Sequence, residues 1–301
     1  MKYSEDAQNL AYIGRLIPRL FRDYYQERPV SDEVFDIYLK MYAYDKIELN
    51  AVIESIDEQS EDWVKEKITF DAAYGGERVI AYLFLPKNFD PPYQTIVYFP
   101  GSNAIHTRSS ESMGTSAFDF IIKSGRAVMY PIYKSTYERG DELDSDYPNE
   151  TKFYRDHVIM WAQDLSRSID YLEIRSDIES DRLAYYGVSW GGAMGAIMPA
   201  VEMRFKVSIL YVAGLGFEPA LPEVDQINFV SRVTIPVLML NGKYDHYFPL
   251  ETSQKPMFQL LGTPPEQKRF VVYETGHVVP RIQMIKESLE WLDRYLGPVK
   301  P

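Results

Sequence analysis

The spacing of apolar residues changes character near Trp63. Upstream, Leu10, Ile13, Ile17, Leu20 and Phe21 fall at helical intervals across residues 9–25, with Pro18 placed to kink the run. A second helix is predicted where Ser31 stands as N-cap and Asp32 and Glu33 occupy the first turn. Val34, Phe35, Ile37, Tyr38 and Met41 supply its apolar face. From Trp63 the period shortens. Residues 64–70 partly alternate, residues 78–85 are apolar and aromatic, and Tyr74-Gly75-Gly76-Glu77 between them reads as a hairpin turn.

Strands and helices then take turns along the chain. Strands are predicted at 95–99, 127–130, 183–186, 207–212, 237–240 and 269–273, and helices at 117–123, 158–174, 192–201, 252–261 and 279–295. Such alternation predicts an α/β fold, a mostly parallel sheet with helices on both faces. The expected organisation is a helical N-terminal extension (1–62) followed by one α/β domain (63–301). An irregular stretch, 133–155, interrupts the alternation and carries Asp141, Glu142, Asp144, Asp146 and Glu150. It reads either as a solvated acidic loop or as a lid, and it lacks the glycine and terminal glutamate of a calcium loop.

Composition narrows the chemistry. The 301 residues include no cysteine, which excludes thiolate nucleophiles, zinc–cysteine sites and disulfide frameworks. The net charge of −12 argues against nucleic acid as a partner, because phosphate binding needs clustered Lys and Arg. The beginning of the chain has no basic-then-apolar targeting pattern, and the longest mostly apolar stretch, 207–217, is too short to span a bilayer. A soluble, cytoplasmic protein without a membrane partner is expected. Histidine chemistry is confined to His106, His157, His246 and His277.

The sharpest local signal is Gly187-Val188-Ser189-Trp190-Gly191-Gly192, with a predicted strand before it and a small-residue helix after it. A serine on such a strand-to-helix turn is held in a strained, exposed position, and the flanking glycines allow close backbone approach. A serine needs a base, itself oriented by an acid. With this elbow the order along the chain is serine, acid, histidine, the latter two on loops after later strands. Asp245 follows the strand at 237–240, and His277 follows the strand at 269–273. Both positions are carboxyl ends of strands, where open α/β sheets place their ligands. His277 could otherwise cap the last helix, and His106 could line the site. His157 falls within a helix, and His246 would reverse the usual order. Asp225 and Glu223 are fallback acids that no strand delivers, and Asp181 sits at the wrong end of its strand. Oxyanion donors are expected from the backbone N–H of Trp190 and from Pro100-Gly101-Ser102-Asn103-Ala104, with Ser102 first and Asn103 second. The Trp190 side chain is expected to pack beneath the acyl site.

These residues resemble the α/β-hydrolase superfamily, carried by Gly187-Val188-Ser189-Trp190-Gly191-Gly192, Asn241-Gly242-Lys243-Tyr244-Asp245 and Thr275-Gly276-His277. Within it they look like the branch of dienelactone hydrolases, acetyl xylan esterases and the catalytic domains of prolyl oligopeptidases. Residues 63–296 also resemble the hydrolase domain fused behind bacterial serine/threonine protein kinases, through Phe70-Asp71-Ala72-Ala73-Tyr74-Gly75-Gly76-Glu77-Arg78 and Tyr98-Phe99-Pro100-Gly101-Ser102. Here no kinase motif is present, and Pro100-Gly101 replaces the usual His-Gly of the oxyanion loop. The resemblance covers roughly the last three-quarters of the chain. It implies acyl transfer through Ser189, His277 and Asp245 without metal or organic cofactor, on a small-molecule ester. A carboxylesterase of small to medium acyl esters is the first expectation. A serine peptidase or lactonase on the same residues, or a non-catalytic binding domain, are the alternatives. The apolar stripe of Leu10, Ile13 and Ile17 marks the extension as a cap, a packed element or a homodimer surface.

Overall fold

The computed structural model describes residues 22–299. The helix expected over 9–25 therefore lies outside the described residues except for its last four, among which Tyr24 and Tyr25 stand in a turn. The second expected helix is present as α1 (Asp32–Tyr42). Ser31 precedes it in extended backbone but makes no side-chain capping bond. Phe35 and Tyr42 of α1 meet the ring of Phe229 edge-on, at 5.2 and 5.6 Å between centroids.

Nine strands among the described residues form one sheet: β1 (Val52–Asp57), β2 (Trp63–Asp71), β3 (Arg78–Pro86), β4 (Tyr93–Phe99), β5 (Ala127–Ile132), β6 (Ile178–Val188), β7 (Phe205–Tyr211), β8 (Val237–Gly242) and β9 (Lys268–Tyr273). Their spatial order is β1-β2-β3-β5-β4-β6-β7-β8-β9. The first three strands run antiparallel to their neighbours, and β5 through β9 pair in parallel. β1 corrects the expectation of an all-helical segment before residue 63. Val52, Ile53 and Ile56 are exposed, so no buried face announces the strand. Edge pairing with β2, such as Val52 opposite Thr69, decides its conformation instead.

Alternation within the parallel strands divides the interior into two cores. Val97 and Phe99 of β4 and Val237 and Met239 of β8 face one side. There they pack with Trp161, Leu165 and Ile169 of α3 (Lys152–Glu173). Ile96 and Tyr98 of β4 and Leu238 and Leu240 of β8 face the other. They meet Phe120 and Ile121 of α2 (Asp119–Lys123) and Trp291 and Leu292 of α5 (Arg281–Leu296). The short helix α4 (Trp190–Met194) follows β6. No helix among the described residues is long and apolar enough to cross a membrane.

Two boundaries differ from expectation for local reasons. α3 starts at Lys152, six residues earlier than periodicity suggested, because the Thr151 hydroxyl accepts the Tyr154 amide at 3.2 Å and caps the first turn. The irregular segment is therefore 133–151. The helix expected over 192–201 ends at Met194, and a separate turn, Met198–Val201, follows with Pro199 in its first positions, where a missing N–H costs least.

The segment 133–151 is fastened to α3 by buried polar groups. Asp164 of α3 has no exposed surface, and it accepts from the Lys134 amide (2.9 Å), the Tyr74 hydroxyl (2.9 Å) and the Arg139 guanidinium (2.5 Å). Arg139 also donates to the Ile132 carbonyl at 2.8 Å. Farther along, His157 of α3 has Nδ1 2.7 Å from the Phe153 carbonyl and Nε2 2.9 Å from Asp141. The Ser135 hydroxyl donates to the same carboxylate at 2.7 Å. Removing one member of a buried ion pair leaves its partner uncompensated. Asp164→Ala is therefore expected to lower unfolding free energy by about 3–5 kcal/mol in denaturant titrations followed by circular dichroism. A loss below about 1 kcal/mol would mean that the segment is not held this way.

Candidate active site

Four loops meet at the carboxyl ends of the parallel strands. β4 pairs with β5 on one side and β6 on the other, so the chain reverses its direction of winding there. Open α/β sheets form a crevice at such a point. The loop after β4 carries Pro100 to Asn103, and the turn after β6 carries Ser189. Those loops touch: a Cβ on Gly101 would lie 3.5 Å from the Ser189 Cβ.

Ser189 adopts φ 55° and ψ −107°, a region that non-glycine residues seldom enter. Hydrogen bonds on both sides hold it there. Its amide donates to the Tyr211 carbonyl at 2.9 Å, and its carbonyl accepts from the Ala193 amide at 2.8 Å. The Gly191 amide donates to the Pro100 carbonyl at 2.9 Å. A Cβ on Gly187 would fall 2.1 Å from the Gly191 carbonyl oxygen, and one on Gly191 would fall 2.2 Å from that of Phe99. The glycines of the motif are thus required by backbone packing, and strand β6 can end in a turn this tight only with them.

The three residues singled out by strand order come together. His277 Nε2 lies 2.8 Å from Ser189 Oγ, and its Nδ1 lies 2.6 Å from Asp245 Oδ2. A carboxylate only accepts, so Nδ1 carries the proton it donates to Asp245, which leaves the Nε2 lone pair facing the serine hydroxyl. The Asp245 side chain has no exposed surface, and its other oxygen accepts the amides of Tyr247 and Phe248 at 2.9 and 3.1 Å. Gln254, fully buried, donates to the carbonyls of Gly242 and Phe248 at 2.8 and 2.7 Å and so fixes the loop that carries the aspartate. On the histidine side, the Tyr211 hydroxyl accepts the Val279 amide at 2.9 Å. The two loops are also stitched directly, Tyr244 N–H to the Thr275 carbonyl at 2.9 Å.

The amides of Trp190, Ser102 and Asn103 donate to no acceptor among the described residues, and the three residues line the same crevice as Ser189. The Trp190 indole is buried beneath it, edge-on to Phe99 and Trp161 at 4.8 Å each. The remaining candidates lie elsewhere. His157 serves the Asp141 contact, and His246 is exposed beside Tyr247. His106 is exposed on the short turn after β4 and does not line the cavity. Asp225 is paired with Arg22 at 3.0 Å, Glu223 with Arg155 at 3.3 Å, and Asp181 is exposed on β6.

The crevice opens into a cavity of about 570 Å³. Residues absent from the sequence-level site line it, notably Asp146 from the acidic segment, Tyr154 from α3, and Gln226. Burial raises the Asp146 carboxyl above the usual range for aspartate, although His106 and His277 pull in the opposite direction. Gln226 is locked between the Gly216 amide (2.8 Å) and the Ala193 carbonyl (2.7 Å). The only sequence hint of these residues was the length and charge of the segment at 133–151.

No family model matches the chain. The protein YtaP of Bacillus subtilis is 24% identical over 163 residues, which make up 50% of this chain and 54% of that protein. The chain thus matches about half the length of the curated relatives it resembles. Among solved structures, an acetyl xylan esterase from Paenibacillus sp. R4 superposes with a TM-score of 0.68 at 14% identity, covering 91% of this chain and 98% of that one. Acetyl xylan esterase 1 from Thermoanaerobacterium sp. JW/SL YS485 superposes at 0.67 with 13% identity, covering 88% and 94%. The chain has the α/β-hydrolase fold. At Gly242 an added Cβ would fall 1.8 Å from the Gly276 carbonyl oxygen, next to His277. Gly242→Ala should therefore cost about 1–3 kcal/mol in stability. It should also abolish the strongly deshielded proton resonance expected for His277 Nδ1–H. A variant as stable as the parent with that resonance intact would contradict the close approach.

Proposed function

We propose that this protein is a serine carboxylesterase that cleaves small to medium acyl esters through an acyl-enzyme. The observation that carries the reading is the continuous hydrogen-bonded line from Ser189 Oγ through the His277 ring to Asp245. His277 Nε2 accepts the hydroxyl proton as Ser189 Oγ bonds to the ester carbonyl carbon. The carbonyl oxygen takes up the negative charge, and the amides of Trp190 and Ser102, with Asn103 adjacent, are the donors suited to receive it. Their lack of other acceptors supports that role. His277 then returns the proton to the departing alkoxide, and the tetrahedral adduct collapses to the Ser189 acyl ester. Water, deprotonated by the same nitrogen, releases the acid. Asp245 keeps the imidazole in the required tautomer and stabilises the imidazolium that forms. No step of this route calls on a metal or an organic cofactor.

The cavity volume falls in the range that accommodates small-molecule ligands, which supports esters of limited size. The two superposed structures are acetyl xylan esterases, which supports the reading. The test is hydrolysis of p-nitrophenyl acetate, butyrate and palmitate by the full chain. The two shorter esters should be favoured over palmitate. Ser189→Ala should lower kcat by about 10⁴–10⁶-fold. Asp245→Asn should lower it by about 10⁴-fold. Asp225→Asn, at the Arg22 pair, should leave kcat within about threefold of the parent. Equal rates in wild type and Ser189→Ala would refute the proposal. Loss through Asp225 with retention through Asp245→Asn would refute the assignment of the acid.

A further inference from the structure

The charges that line the cavity are one-sided. Asp146 and the exposed Glu218 are its acidic lining residues, and neither carboxylate forms an ion pair among the described residues. Among the described residues no lysine or arginine lines it, and His277 is the only lining group there able to carry positive charge. Asp146 is partly buried on the segment held by Asp164 and Asp141, and that burial disfavours its anion. His106 and His277 act on Asp146, one exposed and one committed to Asp245, while Arg22, 3.4 Å from the Glu218 carbonyl, is engaged by Glu27 and Asp225.

Around these carboxylates the walls are aromatic. Tyr98, Tyr137, Tyr154, Tyr247 and Trp190 all line the cavity. Tyr154 is only 3% exposed, yet its hydroxyl has no hydrogen-bond partner among the described residues. Tyr98, 6% exposed, is in the same position, since only its carbonyl is engaged, by the Tyr133 hydroxyl. The two hydroxyls sit on otherwise buried side chains that line the cavity, and each is free to bond to what occupies it, solvent or ligand. Aromatic faces carry a negative quadrupole that attracts cations, most strongly where water is excluded. The net charge of −12 adds a field that concentrates cations and repels anions around the mouth.

We propose that the cavity selects esters bearing a positive charge, an ammonium or quaternary ammonium group, held between Asp146, Glu218 and the tyrosine walls while the ester lies at Ser189. This rests on the esterase reading above and adds the substrate class to it. The carboxylates supply the opposite charge, and the rings replace the cation's hydration shell. An anionic ester meets only repulsion, and a neutral one gains nothing from either feature.

The experiment compares kcat/KM for acetylthiocholine with that for 3,3-dimethylbutyl thioacetate, its uncharged carbon isostere, with thiol release as the readout. Wild type should prefer the cation by about tenfold or more. The preference should shrink severalfold in Asp146→Asn and further in Asp146→Asn/Glu218→Gln. Each ratio is taken within one preparation, so partial misfolding cancels. A wild-type ratio near one, or a ratio unchanged in the double variant, overturns the proposal. A separate arm keeps the two readings apart. If neither thioester is hydrolysed, the esterase reading fails, and titration calorimetry with tetramethylammonium chloride then tests the cation site alone. Saturable binding that weakens in Asp146→Asn supports it, and no saturable binding of the cation overturns it.

Discussion

At Ser189 the backbone holds a conformation that costs on the order of 1–3 kcal/mol, and the architecture of the cleft follows from how that cost is offset. The turn is clamped by bonds to β7 through Tyr211 and to the loop after β4 through Pro100. It also requires contact between backbones that tolerates no side chain at Gly187 or Gly191. These constraints join β4, β6 and β7 into one rigid floor. The loop after β4 is thereby held against the turn that carries Ser189. A serine on a flexible loop could reach a histidine by chance motion. This one is presented to His277 at 2.8 Å in the resting structure.

The second half of the arrangement is built from loops, and loops need their own supports. Asp245 is held by two amides, its loop by Gln254, and the His277 loop by Tyr211 and by the close passage over Gly242. The segment 133–151 is tied down at Asp164 and Asp141, and it carries Asp146 to the cavity wall. Buried polar contacts thus position groups that the hydrophobic core does not reach.

Much of this was legible in the residues themselves. The parallel strands bury both faces, so their apolar runs stand out, and the glycine-flanked Ser189 with Asp245 and His277 at successive strand ends follows from the order of those strands. Other parts left no local trace. β1 exposes its apolar residues and exists through pairing with β2. The early start of α3 depends on one hydroxyl, that of Thr151, within a polar stretch that reads as loop. Asp146 and Tyr154 reach the cavity through tertiary placement of a long segment, which no periodicity encodes. Gln226 and Gln254 act through bonds to carbonyls distant in sequence, and a glutamine carries no signal of such a role.

A covalent acyl bond to Ser189 is the intermediate on which the proposed reaction depends. Full-length protein mixed with excess p-nitrophenyl acetate, quenched in acid within the first turnover and digested, should yield a peptide acetylated at Ser189. The label should accumulate with the initial burst of p-nitrophenol and disappear as substrate is exhausted. Turnover without any acyl adduct during the burst, or an adduct that forms at a residue other than Ser189 at the rate of hydrolysis, would contradict it.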